Sequence, residues 1–242
     1  MSSQAERLQA EIQEQLLPLV EPKYAEKIHQ LVPSQWKTLG VRVPKLRGLA
    51  VDLKKRHPRV LTEDLIFLVD LTFAGKCREE VLCALFWLTA SIKKAPAAYL
   101  WAAIDRWIKL IADWEVCDQL AMGVAAPLVD DNPQRVADLI DWTGSPNPWR
   151  RRFTVATAAA LNQKGRSNVA ATLEICSHLL QEETPIVRKA VGWALREASQ
   201  QEPRAVFGFL YEKRAEAERS ILREGSEKLT DEQRVLILNE EV

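Results

Sequence analysis

One short segment, DWEVCDQLA at residues 113–121, carries residue types suited to binding a cation. Trp114 and Asp118 are four residues apart, so on a helix they share one face. An indole ring offers an electron-rich face and a carboxylate offers a full negative charge, so together they can hold a positively charged group. A packed tryptophan beside a surface aspartate would give the same spacing, and the pattern alone leaves both interpretations open.

Positive charge is concentrated in two segments, although the whole chain is neutral with 33 basic and 33 acidic residues. Residues 35–60 hold eight basic residues against one acidic residue, and residues 147–200 hold eight against four. Residues 201–242 reverse the balance with seven against ten. Such basic segments are typical of a surface that binds nucleic-acid phosphates. Ordinary solvated helix faces are the alternative that charge alone leaves open.

The sequence argues against several other kinds of chemistry. It contains no phosphate-binding glycine loop and no nucleophile elbow. The four cysteines and three histidines lack the spacing of a metal site, so we expect no metal, no cofactor, and reduced, mostly buried thiols. The polar N-terminus and the lack of a ~20-residue apolar run predict a cytoplasmic protein without a signal peptide or membrane span.

The elements that must position these residues are predicted to be helices. Apolar residues recur at intervals of three and four, and helix-favouring alanine, leucine, glutamate and arginine dominate. The predicted helices cover residues 4–17, 22–32, 44–56, 62–73, 77–92, 97–111, 116–129, 132–142, 149–162, 168–181, 185–199, 203–223 and 230–239. Thr62, Asn132, Asn147 and Thr184 are the predicted N-caps.

An internal repeat links two of these helices. The segments PWRRRFTVATAAAL from Pro148 and PIVRKAVGWALREA from Pro185 start 37 residues apart, and each places two bases before an alanine-rich face. A period of about 40 residues made of two helices is typical of HEAT and armadillo repeats. We therefore predict an all-α, HEAT-like or armadillo-type solenoid with a concave DNA-binding surface. It would be a single domain over residues 1–242 with frayed ends at 1–5 and 226–242; an irregular helical bundle is the alternative.

Four segments resemble the AlkD-like family of DNA alkylation repair glycosylases, and they occur in family order across residues 39–198. DWEVCD resembles the family's W-x-x-x-D core, and RKAVGWALREA at 188–198 resembles its K-A-I-G-W-x-L-R-E signature. PWRRRF resembles its arginine-bearing helix, and LGVRVPKLRGLA at 39–50 resembles its L-G-I-x-x-P-x-x-R segment. One departure is Glu115, an added carboxylate that we expect to alter lesion preference.

This resemblance implies a monofunctional glycosylase that excises cationic N3- and N7-alkylated purines in base excision repair. It assigns catalysis to Asp118, with Trp114 and Trp193 around the sugar and Arg152 on a phosphate near the lesion. The candidate phosphate contacts are Lys45, Arg47, Arg151, Arg188 and Lys189. The expected partner is double-stranded DNA with alkylated bases, bound by a cytoplasmic monomer that in a bacterium would be associated with the nucleoid. A HEAT-like protein that binds damaged or branched DNA without cutting a bond, and a protein-binding scaffold, are the alternatives.

Overall fold

Helices dominate the computed structural model of the chain, which describes residues 3–92 and 96–238. The chain forms two compact units, Met1–Val124 and Ala125–Val242. Within the described ranges there is no strand, and the isolated bridge between Lys37 and Cys77 is the only extended pairing. The predicted all-α class is confirmed, while the single domain over residues 1–242 stays a prediction.

The helices of the first unit lie close to their predicted positions. They are α1 (Gln4–Leu16), α2 (Pro22–Leu31), α3 (Val43–Arg56), α4 (Thr62–Gly75), α5 (Arg78–Ser91), α6 (Ala97–Ile108) and α7 (Trp114–Leu120), with a 3₁₀ turn at Leu17–Leu19. Helix α7 begins two residues before its predicted start at 116. The predicted cap at Thr62 is wrong, because Leu61 holds the cap position and Thr62 is the first helical residue.

Helix α5 forms the centre of the first unit. Helices α1, α3, α4 and α7 all pack against it, so its residues from Arg78 to Leu85 are buried without exception. Most of these side chains are apolar, but the first turn carries Arg78, Glu79 and Glu80. Burying a charge is costly unless it is paired and hydrogen-bonded. The first turn of α5 must therefore find its partners inside the unit.

The second unit and the residues that lead into it depart from the predicted helices in two places. Its helices are α8 (Ala126–Asp131), α9 (Arg135–Thr143), α10 (Pro148–Ala160), α11 (Val169–Ser177), α12 (Pro185–Gln201), α13 (Pro203–Lys213), α14 (Arg219–Gly225) and α15 (Asp231–Leu238). A π-helical turn at Ala121–Ala125 interrupts the predicted helix 116–129. The predicted helix 203–223 is divided into α13 and α14. Between them, the Glu218 N–H donates to the Leu180 carbonyl at 2.8 Å instead of to a carbonyl of its own helix.

The predicted N-caps of this unit have different outcomes. Asn147 is confirmed, because its side chain accepts from the Trp149 N–H at 2.9 Å. Thr184 holds the cap position of α12, but its side chain makes no capping bond. Asn132 is wrong as the cap of α9, since Gln134 occupies that position.

The internal repeat is visible in the contacts of the second unit. Helix α10 packs on α12, and α12 packs on α14. Arg151 of α10 pairs with Glu182 just before α12, and Arg188 of α12 approaches Glu218, the cap residue of α14. Residues at equivalent repeat positions therefore both approach an acid near the start of the next helix, closely at Arg151 and more distantly at Arg188. A helical repeat fold is confirmed, and its concave DNA-binding surface stays a prediction.

Some expectations from composition can be compared with the described residues. The four cysteines are buried, as expected, and burial raises the pKa of Cys83 and Cys176 to about 12. Between residues 3–92 and 96–238, no helix is both long and apolar enough to cross a bilayer, and no three His, Cys, Asp or Glu side chains cluster as metal ligands. Of the predicted frayed ends, residues 1–2 and 239–242 lie outside the described residues, whereas Gln4 begins α1 and Asp231 begins α15.

Candidate active site

Helix α7 carries Trp114 and Asp118 on successive turns of one face, and both residues are partly buried. The Trp114 indole N–H donates to the Leu31 carbonyl at the end of α2, over 3.2 Å. This bond fixes the position of the ring within the first unit. Asp118 is neither sealed in the interior nor fully exposed, so a group from solvent can approach this face.

The start of α7 is set by a buried aspartate. The Asp113 carboxylate accepts hydrogen bonds from the backbone N–H groups of Glu115 and Val116, at 3.1 and 3.0 Å. An aspartate at this position satisfies N–H groups that the helix itself leaves without partners. Burial raises the pKa of Asp113 above its ordinary value of 3.8, although the bond from Val116 and the charge of Arg78 act in the opposite direction.

A buried charged network lies against this helix start. Arg78 and Glu79 are both 0% exposed and pair at 3.2 Å, and Arg78 also pairs with Glu115 on α7. Glu79 accepts the backbone N–H groups of Leu39 and Gly40 at 2.9 and 3.0 Å. The network therefore ties three separate parts of the first unit together: the turn before α3, the first turn of α5 and the first turn of α7.

Glu115, the added carboxylate, is one of the partners in this network. Its side chain is 23% exposed and bound to Arg78. The carboxylate charge is thus compensated inside the network. The structure gives Glu115 a role in holding α7, and its effect on lesion preference stays a prediction.

The conformation of the turn before α3 depends on Gly40. Its φ of +84° is one that residues with a side chain rarely adopt, and a Cβ there would lie 2.6 Å from the Glu21 carbonyl oxygen. The Gly40 carbonyl in turn accepts the Glu21 N–H at 3.1 Å. This turn leads directly into the basic helix α3.

The candidate phosphate contacts of α3 are exposed but already have neighbours. Lys45 pairs with Glu21 at 2.8 Å, and Arg42 pairs with the same carboxylate at 3.0 Å. These two hydrogen bonds lower the pKa of Glu21. The Arg47 guanidinium lies 5.1 Å from the centre of the Phe86 ring, a cation–π distance.

In the second unit, two of the predicted arginines are engaged internally. Arg151 donates to both carboxylate oxygens of Glu182 at 2.7 and 2.9 Å, to the Ser145 carbonyl at 2.7 Å and to the Thr184 hydroxyl at 3.1 Å. Arg152 is only 7% exposed and donates to the Ile186 carbonyl at 2.5 Å. Both side chains fasten the start of α12 to α10, which leaves little of either guanidinium for a phosphate.

The remaining candidates of the second unit lie on α12. The indole N–H of Trp193, which is partly buried, donates to the Glu197 carboxylate one turn later, at 3.1 Å. Among the described residues, the polar contacts of Arg188 are long: 3.5 Å to the Glu183 carbonyl and 3.9 Å to the Glu218 carboxylate. Lys189 is exposed. The structure thus groups Trp114 with Asp118 on α7, and assembly of all the catalytic candidates into one site stays a prediction.

Sequence reasoning missed the residues that hold this site in place. An aspartate before a helix is a recognised cap signal, and Asp113 could have given the start of α7. Arg78 and Glu79 had no local signal, because their partners Glu115, Leu39 and Gly40 lie far away in the sequence.

Comparisons with known proteins agree with this helical repeat fold. A family model described as DNA alkylation repair enzyme matches residues 12–229. Among solved structures, the chain is similar to a predicted DNA alkylation repair enzyme from Enterococcus faecalis, with a TM-score of 0.75 and 20% identity. That match covers 88% of this chain and 97% of the other, and at this identity it shows the fold alone. No curated protein matches the sequence significantly.

Proposed function

This chain belongs to the family of DNA alkylation repair enzymes, and from that premise we propose that it is a monofunctional DNA glycosylase. The proposed substrates are N3- and N7-alkylated purines in duplex DNA, and the reaction is hydrolysis of the N-glycosidic bond in base excision repair. The observation that carries the proposal is the pair Trp114 and Asp118, held on one accessible face of α7.

The chemistry requires a negative charge more than an acid. An N3- or N7-alkylated purine is already cationic, so it departs with the bonding electrons as a neutral base. The deoxyribose left behind becomes oxocarbenium-like, as in glycoside hydrolysis generally. Water then bonds to the anomeric carbon and releases a proton to solvent. A fixed carboxylate beside this centre stabilises the positive charge as it develops, and we assign that role to Asp118.

The surroundings of α7 suit this task because they restrict movement. Asp113 caps the helix, Arg78 holds Glu115, and the Leu31 carbonyl holds the Trp114 indole. Electrostatic catalysis depends on charges that are already in position and need no rearrangement during the reaction. A π-helical turn follows Asp118 at Ala121–Ala125, and such turns are frequent at functional sites.

The basic residues are proposed to supply affinity for duplex DNA. Arg47, Arg188 and Lys189 are the candidates that the internal contacts leave most available, and Lys45 accompanies Arg47 on α3. Because Arg151 and Arg152 bind the start of α12, we assign them to positioning α12, which carries Trp193. Trp193 is proposed to lie against the sugar. A cytoplasmic monomer is part of the same proposal.

The replacement of Asp118 by Asn tests this proposal. Removal of one such electrostatic contact typically costs about 3–4 kcal/mol, so Asp118→Asn should lower the single-turnover rate of 7-methylguanine release by roughly 10²–10³. The measurement is chromatography of bases freed from methylated duplex DNA. Affinity for the same duplex should stay near that of the unaltered protein, because Asp118 is not proposed to contact phosphate.

Asp105→Asn is the matched control. Asp105 lies on the surface of the same unit and pairs with Lys109 at 3.1 Å, so its removal should leave base release unchanged. Full release by Asp118→Asn would refute the assigned role. An unaltered protein that binds alkylated duplex but frees no base would instead support the non-catalytic DNA-binding alternative.

A further inference from the structure

A cleft in the second unit is lined by basic side chains from three helices. It encloses about 440 Å³ between the first turns of α12, the helix α14 and the start of α15. The basic residues that line it are Arg188, Lys189, Arg223 and Arg234. Arg188 and Lys189 come from α12, Arg223 from α14 and Arg234 from α15, so bases from separate segments converge on one opening.

The acidic residues at this cleft are already neutralised. Glu224 and Glu227 line it as well, but both accept from Arg196 of α12. Glu227 also pairs with Lys228 at 2.9 Å, and hydrogen bonds from Lys228 and Arg196 lower its pKa. The net charge presented to a ligand in the cleft is therefore positive.

The basic residues, in contrast, lack strong partners. Neither Lys189 nor Arg223 pairs with an acid anywhere in residues 3–92 or 96–238, while the ion contacts of Arg188 and Arg234 are both 3.9 Å long. In addition, the Arg234 Nε is buried and finds no hydrogen-bond acceptor among the described residues. A buried N–H without an acceptor is costly, so the Arg234 guanidinium is not committed to a strong internal partner.

We propose that this cleft binds a phosphodiester group of a nucleic-acid backbone. The inference rests on the proposed function in one respect, that the partner is duplex DNA. Arginine presents forked N–H groups that match phosphate oxygens, and the N-terminus of the 17-residue helix α12 adds positive potential. Such a contact raises affinity and fixes register without reading sequence. The cleft thereby extends the DNA contact beyond α12 to α14 and α15.

The test compares two charge-matched double variants. Arg223→Gln with Arg234→Gln removes two cleft charges that the proposed function does not already assign to DNA. Lys164→Gln with Arg204→Gln removes two positive charges that are exposed elsewhere in the unit. Fluorescence anisotropy with an undamaged duplex gives the affinity between 50 and 300 mM salt. The log–log slope falls by about 0.9 for each phosphate contact that is lost, so the cleft variant should lose about one unit of slope. The control should lose none.

Three results would decide the inference. A reduced slope in the cleft variant alone, equal on methylated and undamaged duplexes, supports it. An unchanged slope, or equal losses in both variants, overturns it. If inorganic phosphate shifts the NMR signals of the cleft arginine side chains while DNA affinity does not change, the site takes free anions and the nucleic-acid assignment is wrong.

These outcomes are separable from the proposed glycosylase activity. Base release is measured on the unaltered protein, whereas the slope comparison measures DNA affinity without any reaction, so either proposal can fail alone. If the protein frees no base but the cleft variant shows the slope loss, the cleft proposal stands and the glycosylase proposal is wrong. If the protein frees bases but the cleft variant shows no slope loss, the glycosylase proposal stands and the cleft proposal is wrong.

Discussion

The two units of this protein hold their charged residues in different ways. In the first unit, Arg78 and Glu79 are fully buried and join segments distant in sequence, in a network that has no counterpart among the ion pairs of the described residues. In the second unit, Arg151–Glu182 and Arg188–Glu218 repeat one contact between successive helices nearer the surface. A buried unique network fixes one position rigidly, whereas a repeated contact joins similar helices and leaves some of their bases available to a ligand.

This difference between the units suits the first unit to a rigid site and the second unit to a binding surface. Trp114 and Asp118 lie on α7, whose first turn is joined to the buried network by the ion pair between Glu115 and Arg78. Arg188 and Lys189 lie where the repeated contact is longest, and they are the bases that we propose to pair with phosphate. We therefore expect substitutions in the first unit to cost more stability than their counterparts in the second.

The replacement of Arg78 by Met should have the largest effect on stability. It leaves Glu79 and Glu115 without their cation, and the loss of one partner of a buried ion pair typically costs about 3–5 kcal/mol. The free energy of unfolding in urea measures this. The double variant Arg78→Met with Glu115→Gln should recover part of the loss, because one uncompensated carboxylate is gone. A loss below about 1 kcal/mol in the single variant would mean that solvent reaches the network.

Two glycines with the same backbone conformation allow the cost of a crowded Cβ to be measured apart from the cost of backbone strain. Gly40 in the first unit and Gly165 in the second have φ values of +84° and +83°. Gly165→Ala should cost about 1 kcal/mol from the backbone alone, because nothing lies within 4 Å of the added Cβ. Gly40→Ala should cost about 3 kcal/mol, because the Cβ also meets Glu21 and Ala25. Equal losses in the two urea titrations would contradict the tight packing of the first unit.

Substitutions in the repeated contact between Arg and Glu of the second unit should have the smallest effects on stability. Glu182→Gln should cost about 2 kcal/mol, because the carboxylate is 8% exposed and accepts two hydrogen bonds from Arg151. Glu218→Gln should cost under about 0.5 kcal/mol, because its contact is 3.9 Å long and its side chain is 47% exposed. If both variants lose the same stability, the two repeat positions are energetically equivalent and the contrast within the second unit is wrong.

The pH dependence of Glu182 provides a control for that comparison. Burial by itself would raise the pKa of Glu182, but hydrogen bonds from Arg151 and Thr184 outweigh it and hold the pKa below the ordinary 4.5. A lowered pKa stabilises the folded state above pH 4.5, and this contribution disappears as the pH falls through the folded-state pKa. The difference in unfolding free energy between the unaltered protein and Glu182→Gln should therefore be constant near neutrality and shrink in acid.

The sequence by itself determined whatever depends on neighbours a few residues away. The spacing of apolar residues predicted the all-α class, the 37-residue offset predicted equivalent helices, and Asn147 was recognisable as a cap. The four-residue interval between Trp114 and Asp118 is enough to place both residues on one face of a helix. Each of these follows from the fixed geometry of the helix, which is local.

Only the tertiary structure decided which charged residues face inward. Arg152 looks like a phosphate contact in the sequence, yet it lies buried against Ile186, 34 residues away. The predicted helix 203–223 is interrupted because the Glu218 N–H finds the Leu180 carbonyl, and Arg78 meets Glu115 although α6 lies between them in the chain. Helical periodicity specifies the face on which a side chain stands, but the partner that covers that face is chosen by packing between segments far apart in the chain.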